Sequence, residues 1–274
     1  MTGDKMKNLI KKLVTLLTLS SILLPQLTLA ANTHYTVLVR ASSQYFTAAD
    51  SADVSITGNQ TYMMWLYNEA DLGVDVERFI WDGFATDGNK DTRISYMRNG
   101  TGAPEFRLRT SSDCSAITET VITKTLTAQT WTHIAIVITS GTWELFVNGV
   151  SQGTNTASAG ICNGGEGLWI GARSDGANSW NGQIDDFRIY NVAKTGAQIL
   201  ADYDTEICDF TNLKAYWKFN NDANEVVGVG ANTDNLTAVN SPTYQSASLP
   251  FTDACAGGGG TTVTPTHPFI WTMF

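Results

Sequence analysis

The alternation of apolar and polar residues predicts β-strands along most of the chain. In TWELFVNGVSQGT (142–154), every second residue from Trp143 to Val147 is apolar and falls on the same side of the chain. This is the period of a strand with one buried face. The pair Asn148-Gly149 follows at once and favours the two-residue type I′ turn of a hairpin. The stretch therefore predicts a strand, a tight turn and the start of a second strand.

Further segments of this kind are separated by short stretches with Gly, Asn and Asp, a spacing typical of an antiparallel sandwich. The predicted strands are 35–41, 61–68, 76–83, 92–98, 105–110, 116–123, 131–139, 167–173 and 182–191. A single short helical stretch, AKTGAQILADYD (193–204), follows the last of them. The pattern predicts an all-β fold of two antiparallel sheets with one short C-terminal helix.

Residues 1–30 have the composition of a secretory signal peptide. Lysines precede an apolar stretch near residues 13–24, and TLA at 28–30 is a small-x-small cleavage site. An uncleaved membrane anchor is disfavoured because the apolar run is short and is interrupted by Ser, Thr and Pro25. We expect a secreted, cell-surface or periplasmic protein with no membrane span after cleavage.

The charge balance narrows the choice of partners. The full chain of 274 residues has a formal net charge of −9 at pH 7. Removal of the predicted signal peptide leaves 13 basic and 25 acidic residues, a net charge of −12. Such an acidic surface argues against nucleic acid and against anionic membranes as partners.

All four cysteines lie in the part of the chain that would be exported. Three pairings are possible in principle. We favour Cys114–Cys162 and Cys208–Cys255, because each bridge then stays within one section of the chain. A zinc site is the alternative, but the chain has no CxxC pair and only three histidines. Disulfides are the better interpretation in an exported protein.

Several of these segments together resemble a known family. WTHIAIVITSGTWELFVNGVSQGT (131–154) followed by LWIGARSDGANSWNGQIDDFRIYNVAKTGAQILADYD (168–204) resembles the second half of the laminin G-like, concanavalin A-like jelly-roll domain of secreted bacterial proteins. SSQYFTAADSADVSITGNQTYMMWLYN (42–68) is similar to the beginning of that domain. The resemblance implies a two-sheet jelly roll, here over residues 31–208, whose members mostly bind carbohydrate or protein ligands, some through calcium.

The segment 209–255 departs from the family pattern. LKAYWKFNNDANEVVGVGANTDNLTAV (213–239) has a Trp-x-Phe strand and an Asp-Asn-Leu segment, which family members often carry at the start of the domain. It either docks on the sandwich from the C-terminal side or begins a truncated second repeat. We favour docking, because residues 213–274 are too few for another jelly roll. Residues 256–274 are assigned to a Gly/Thr-rich linker and tail.

The sequence lacks the residue patterns of the enzymes that share this architecture. Laminarinase-like glycoside hydrolases need Glu-x-Asp-x-Glu on one strand, whereas the nearest segment here, 183–187, has no glutamate. Alginate-lyase-like jelly rolls need a histidine among Tyr, Arg and Gln, and only His34, His133 and His267 are present. The segment GVSQG (149–153) has the letters of a Gly-x-Ser-x-Gly motif but lies in the predicted hairpin, not at the strand-to-helix elbow that a hydrolase needs. We expect a binding module rather than an enzyme.

The candidate carbohydrate-binding residues follow from the chemistry of sugars. Sugar faces stack on exposed aromatic rings, and hydroxyls bond to Asn, Asp and Arg. Trp81 and Trp169 each end a predicted strand beside a polar loop, although core packing is the alternative for either ring. Arg173 and Asn178 follow Trp169 in the chain. We expect glycan recognition; the alternative is a protein-binding adhesion module of a larger cell-surface protein.

Calcium is the cofactor that the acidic loops suggest. Calcium takes several oxygen ligands from carboxylates and carbonyls. In related jelly rolls, aspartates of the last strand often face such an ion, so we expect Asp186 to bind it together with Asp50. In DGFATDGNKD (82–91), turn formation is the stronger explanation for the aspartates.

Overall fold

The computed structural model describes residues 32–70, 72–84, 92–205, 207, 210–226 and 230–246. Within these ranges the chain forms fifteen strands: β1 (His34–Leu38), β2 (Tyr45–Ala48), β3 (Gln60–Asn68), β4 (Val76–Asp82), β5 (Thr92–Arg98), β6 (Pro104–Thr110), β7 (Thr118–Thr123), β8 (Trp131–Thr139), β9 (Thr142–Val147), β10 (Val150–Thr156), β11 (Leu168–Ile170), β12 (Gly182–Tyr190), β13 (Leu213–Trp217), β14 (Thr237–Val239) and β15 (Thr243–Ser246). A helix, α1 (Gly196–Asp202), lies between β12 and β13, and a 3₁₀ turn (Arg40–Ser42) follows β1. The predicted signal peptide, Cys208, Cys255 and the predicted linker and tail lie outside the described residues.

The strands form two antiparallel sheets. One has the order β10-β9-β8-β3-β12-β1-β15, with β13 also paired to β12; we call it the eight-stranded sheet. The other, the seven-stranded sheet, has the order β14-β2-β11-β4-β5-β6-β7. The prediction of a two-sheet antiparallel jelly roll with one short helix is confirmed.

The segment that follows α1 contributes strands to both sheets. β13 pairs with β12, and β15 pairs with β1 in the same sheet. β14 pairs with β2 at the edge of the seven-stranded sheet. The described residues of this segment, 213–226 and 230–246, therefore extend the two sheets rather than forming a separate structure.

The core lies between the sheets, and its composition follows from the alternation of the strands. Ile134, Ile136 and Ile138 on β8 point into it and are almost completely buried. Burying one such side chain stabilises the fold by about 1.5–3 kcal/mol. The β9–β10 hairpin has the predicted turn, since Asn148 and Gly149 have φ of 49° and 76°, as a type I′ turn requires.

Helix α1 covers the outer face of the eight-stranded sheet. Its N-terminus is fixed by a capping box: Thr195 Oγ1 accepts a hydrogen bond from the Gln198 amide, and Gln198 Oε1 accepts one from the Thr195 amide. Ile199 is buried in a second apolar cluster that includes Met63 and Phe146 on that face. Among the described residues, no helix is long and apolar enough to cross a membrane.

The predicted disulfide Cys114–Cys162 is confirmed. The bridge joins the β6–β7 connection to the β10–β11 connection, with the two Cα atoms 5.4 Å apart. Because it spans 48 residues of sequence, it stabilises the fold by about 4 kcal/mol in the chain-entropy view. The second predicted bridge stays a prediction.

Candidate functional site

A single row of opposed residues crosses the outer face of the seven-stranded sheet; we call it the polar row. Each member lies directly opposite the next in the register of the sheet, and chain neighbours such as Phe46, Ile170 and Leu108 belong to the core on the other side. The row consists of Thr47 on β2, Trp169 on β11, Asp82 on β4, Arg93 on β5, Arg109 on β6 and Glu119 on β7. Because neighbouring strands lie about 4.8 Å apart, the row is about 24 Å long.

Asp82 is the structural centre of the row. Its carboxylate is fully buried and accepts two hydrogen bonds from Arg93, at 2.7 and 2.9 Å. It also accepts hydrogen bonds from the backbone amides of Phe84, at 2.8 Å, and Ser174, at 2.7 Å. Asp82 thereby fastens the loop that follows β11 to the end of β4.

Arg93 is held between two aromatic rings as well as by Asp82. Its guanidinium carbon lies 5.1 Å from the ring centre of Phe79 and 4.5 Å from that of Phe84. Such cation–π contacts add to a bidentate ion pair and fix the orientation of the side chain. The middle of the polar row is therefore rigid.

Two partly exposed aromatic rings lie beside this rigid centre. Trp169 is a member of the polar row, and Tyr45 lies two residues before Thr47 on the same face of β2. Diagonal neighbours on paired strands are close enough for large side chains to meet. A Cβ atom added to Gly176 would lie 3.3 Å from the Tyr45 ring, so the loop after β11 also borders Tyr45. Trp169, Tyr45 and this loop form one continuous surface.

The loop after β11 supplies polar groups to this surface. Arg173 Nε donates to Asp175 Oδ1 over 2.9 Å, and the second oxygen of Asp175 contacts the same guanidinium. This bonding lowers the pKa of Asp175 to about 2 and raises the pKa of Arg173. The side chain of Asn178 is exposed, and its backbone oxygen accepts a hydrogen bond from Phe79. Three of the predicted sugar-binding residues, Trp169, Arg173 and Asn178, are thus on the surface beside β4.

The prediction of Trp81 as a sugar platform is wrong. Trp81 is completely buried between the sheets and stacks on Tyr62, with ring centres 4.2 Å apart. The cause is an irregularity in β4, where the register with β5 shifts between Phe79 and Trp81. A bulge of this kind changes which face the following side chains occupy. Trp81 therefore packs in the core, whereas Asp82 lies on the outer face of the sheet, where it is covered by Arg93 and the loop after β11.

The two predicted calcium ligands, Asp50 and Asp186, both have protein partners in the structure. Asp186 is buried within β12, where its carboxylate accepts a hydrogen bond from Tyr216 and pairs with Arg188. Burial raises the pKa of Asp186, and the Arg188 charge opposes that rise. Asp50 follows β2 of the other sheet, is exposed and accepts a hydrogen bond from Ser55.

The described residues contain no group of three or more His, Cys, Asp or Glu that could hold a metal ion. Calcium binding by Asp50 and Asp186 stays a prediction.

Sequence reasoning missed Tyr45, Asp82 and Arg93 as parts of the site. Asp82 ends one predicted strand and Arg93 lies at the start of the next, so an opposed pair of charges was a possible signal. Tyr45 was hidden because β2 has only four residues, too few to show a clear period.

A cleft lies away from the polar row. It has a volume of about 450 Å³ and is lined by Ala52, Ser55, Ile56, Thr57, Gly58, Asn163, Asn191 and Lys214. This lining includes no aromatic ring, so the cleft has hydrogen-bonding groups without a stacking surface. The face with Trp169 and Tyr45 is the stronger candidate for sugar recognition.

Comparison with known families identifies the domain. The family model described as the concanavalin A-like lectin/glucanases superfamily, of the laminin G type, matches residues 40–200, and the chain belongs to this family. A search of curated proteins by sequence gave no significant match.

Comparison with solved structures shows the same architecture. A proposed carbohydrate-binding protein from Bacteroides ovatus is similar over 80% of this chain, with a TM-score of 0.59 and 16% identity. The match covers 61% of that protein, so the chain spans about three fifths of its length. A heptameric SAP-like pentraxin from Limulus polyphemus is similar over 80% of this chain and 97% of its own, with a TM-score of 0.53 and 12% identity.

Proposed function

We propose that the chain is a secreted, non-catalytic carbohydrate-binding module whose glycan site is the surface formed by Trp169, Tyr45 and the loop 173–178. The observation that carries the proposal is the placement of two partly exposed aromatic rings beside a polar loop that Asp82 holds in position. Rings of this kind stack on the apolar faces of sugars. Arg173 and Asn178 then bond to the hydroxyl groups around the ring.

The family and the architecture agree with this proposal. The chain belongs to the concanavalin A-like lectin/glucanases superfamily. The Bacteroides ovatus protein, described as a proposed carbohydrate-binding protein, has the same architecture.

One carboxylate of this face, Glu77, is unsuited to act as the acid of a glycosidase. A glycosidase needs a carboxylic acid whose pKa is raised, so that it can protonate the leaving oxygen. Burial alone would raise the pKa of Glu77, but hydrogen bonds from Arg109 and Ser95 outweigh it and lower the pKa. An acid held in its ionised form is unsuited to donate the proton.

The disulfide supports export. Structural disulfides form and persist in oxidising compartments, and Cys114–Cys162 is such a bridge. This agrees with the signal peptide predicted for residues 1–30.

A glycan array with the purified protein tests the proposal. We expect wild type to bind a defined set of glycans and Trp169→Ala to lose that binding while its melting temperature stays close to that of wild type. Trp131→Ala is the matched control, since Trp131 is a partly exposed tryptophan on the eight-stranded sheet, packed against Tyr35. A blank array for folded wild type would contradict the proposal and favour the protein-binding alternative.

A further inference from the structure

The arginines on the outer face of the seven-stranded sheet already have carboxylate partners. These pairs are Arg93 with Asp82 at 2.7 Å, Arg107 with Glu105 at 3.0 Å and with Glu119 at 3.3 Å, and Arg109 with Glu77 at 2.8 Å and with Glu119. Each guanidinium is also largely buried, with at most 22% of its side chain exposed. These three arginines therefore have no free guanidinium to offer a ligand.

The same holds for the loop that borders Trp169. Arg173 is the most exposed of these arginines, at 39%, and both oxygens of Asp175 face its guanidinium. Asp175 is itself 35% exposed, so a ligand on the loop meets a carboxylate together with the guanidinium. The pair offers hydrogen bonds in both directions and no net charge.

We infer that this surface takes uncharged glycans and discriminates against glycans that carry uronate or sulfate groups; the inference rests on the proposed function. An anionic group on the ligand would have to displace Asp175 from Arg173, because a guanidinium fork already bonded to one carboxylate is not free for another. The net charge of −9 on the whole chain adds long-range repulsion. The hydroxyl groups of a neutral sugar neither have to displace Asp175 from Arg173 nor are repelled by the net charge of the chain.

Asp175 is the residue that sets this specificity. Replacing it with Asn removes the charge but keeps an oxygen for the hydrogen bond that Asp175 accepts from the Ala177 amide, at 2.9 Å. Arg173 then has a positive charge without a carboxylate partner beside Trp169. Discrimination by an unfavourable charge is a common route to specificity, and its removal relaxes the choice of ligand.

The test measures affinity for neutral and acidic polysaccharides by affinity electrophoresis, at low and at moderate salt. We expect wild type to bind neutral chains with little dependence on salt and to leave alginate, polygalacturonate and carrageenan unretarded. Asp175→Asn should raise the ratio of acidic to neutral affinity about two- to fivefold, the size of an exposed ion pair. That gain should fall as salt rises. Glu144→Gln, on the eight-stranded sheet, is the control that makes the same change of charge elsewhere.

The outcomes separate the inference from the function on which it rests. If wild type binds acidic chains at least as well as neutral ones and Trp169→Ala abolishes this, the site is right and the inference is wrong. If Asp175→Asn and Glu144→Gln raise acidic binding equally, the pair Arg173–Asp175 does not set the specificity and the inference is overturned. If wild type binds neither class, the proposed function fails.

Discussion

Trp169 on β11 lies directly opposite Asp82 on β4, so a partly exposed ring and the buried carboxylate that fixes the neighbouring loop are paired across one ladder. Stacking surfaces bind best when they are held in place before the ligand arrives. The pairing connects the stability of the sheet to the shape of the proposed glycan site.

Loss of the Asp82 carboxylate should destabilise the protein strongly. Asp82→Ala leaves the Arg93 guanidinium largely buried without its partner and removes the acceptor for Ser174. Breaking a buried pair from one side costs about 3–5 kcal/mol. Urea unfolding measures this cost. Asp175→Asn, which breaks an exposed pair, should change stability by less than about 1 kcal/mol, and an equally small effect of Asp82→Ala would contradict the structural role of Asp82.

The buried His133 should make the wild type sensitive to acid. It lies between the rings of Trp65 and Tyr203, and neither ring nitrogen of His133 has a hydrogen-bond partner. Burial, and secondarily the charge of Arg188, lowers the pKa of His133 well below its ordinary value of 6.5. The folded state keeps the ring neutral while the unfolded chain takes up a proton, so stability falls as pH falls below 6.5.

His133→Phe removes the group that takes up the proton and keeps an aromatic ring against Trp65 and Tyr203. As the pH is lowered from 7.5 to 5, we expect the free energy of unfolding of this variant to rise relative to that of wild type, as measured by urea unfolding. A difference between the two proteins that does not change with pH would show that His133 is protonated alike in both states.

The contribution of Glu225 to stability should depend on pH in the opposite direction to that of His133. Burial, together with nearby Asp234 and Asp53, raises the pKa of Glu225 to about 7, although the Asp234 amide donates to its carboxylate over 2.7 Å. The folded pKa lies above the ordinary 4.5, so the stabilising protonated form is fully present below pH 4.5 and is lost as pH rises through 7. Hydrogen exchange at the amides of Glu225 and Asp234 should therefore show easier opening at pH 8 than at pH 5, after correction for intrinsic rates.

Glu225→Gln is the matched variant for this test, because it keeps the shape and an acceptor oxygen. Its opening free energy should be the same at both pH values. Parallel behaviour of wild type and variant would assign the pH dependence to other groups.

The disulfide gives a prediction that needs no ligand. Replacing both Cys114 and Cys162 with Ser should lower stability by about 4 kcal/mol, since the unfolded chain loses a closed loop of 48 residues. Non-reducing peptide mapping of wild type should recover Cys114 and Cys162 in one linked peptide. The same map tests the predicted Cys208–Cys255 bridge, and any mixed pairing would contradict both assignments.

The sequence was most informative where structure depends on neighbouring residues. The β9–β10 hairpin follows from Asn148-Gly149, whose backbone preference is local. The capping box of α1 is likewise encoded by Thr195 and Gln198, three residues apart. Both features could be predicted because the residues that cause them lie together in the chain.

The site depended on contacts between distant parts of the chain. Trp81 and Trp169 each end a predicted strand beside a polar loop, so the sequence did not distinguish them. A bulge in β4 places Trp81 in the core. Asp186 was assigned to calcium from the resemblance to related jelly rolls, and nothing in its own segment shows that Tyr216, 30 residues later, donates a hydrogen bond to it. Register and distant partners decide which polar groups are free, and a single sequence does not state either.

The most direct test is an NMR spectrum of the tryptophan indole N–H groups in ¹⁵N-labelled protein. The Trp169 signal is assigned as the one that disappears in Trp169→Phe. A glycan that the array identifies is titrated into the labelled protein. If Trp169 forms the glycan site, the chemical shift of its indole signal changes progressively with added glycan. The chemical shifts of Trp131 and of the buried Trp143 stay unchanged. A titration in which Trp169 does not move although the glycan binds would place the binding surface elsewhere on the protein and contradict the central claim.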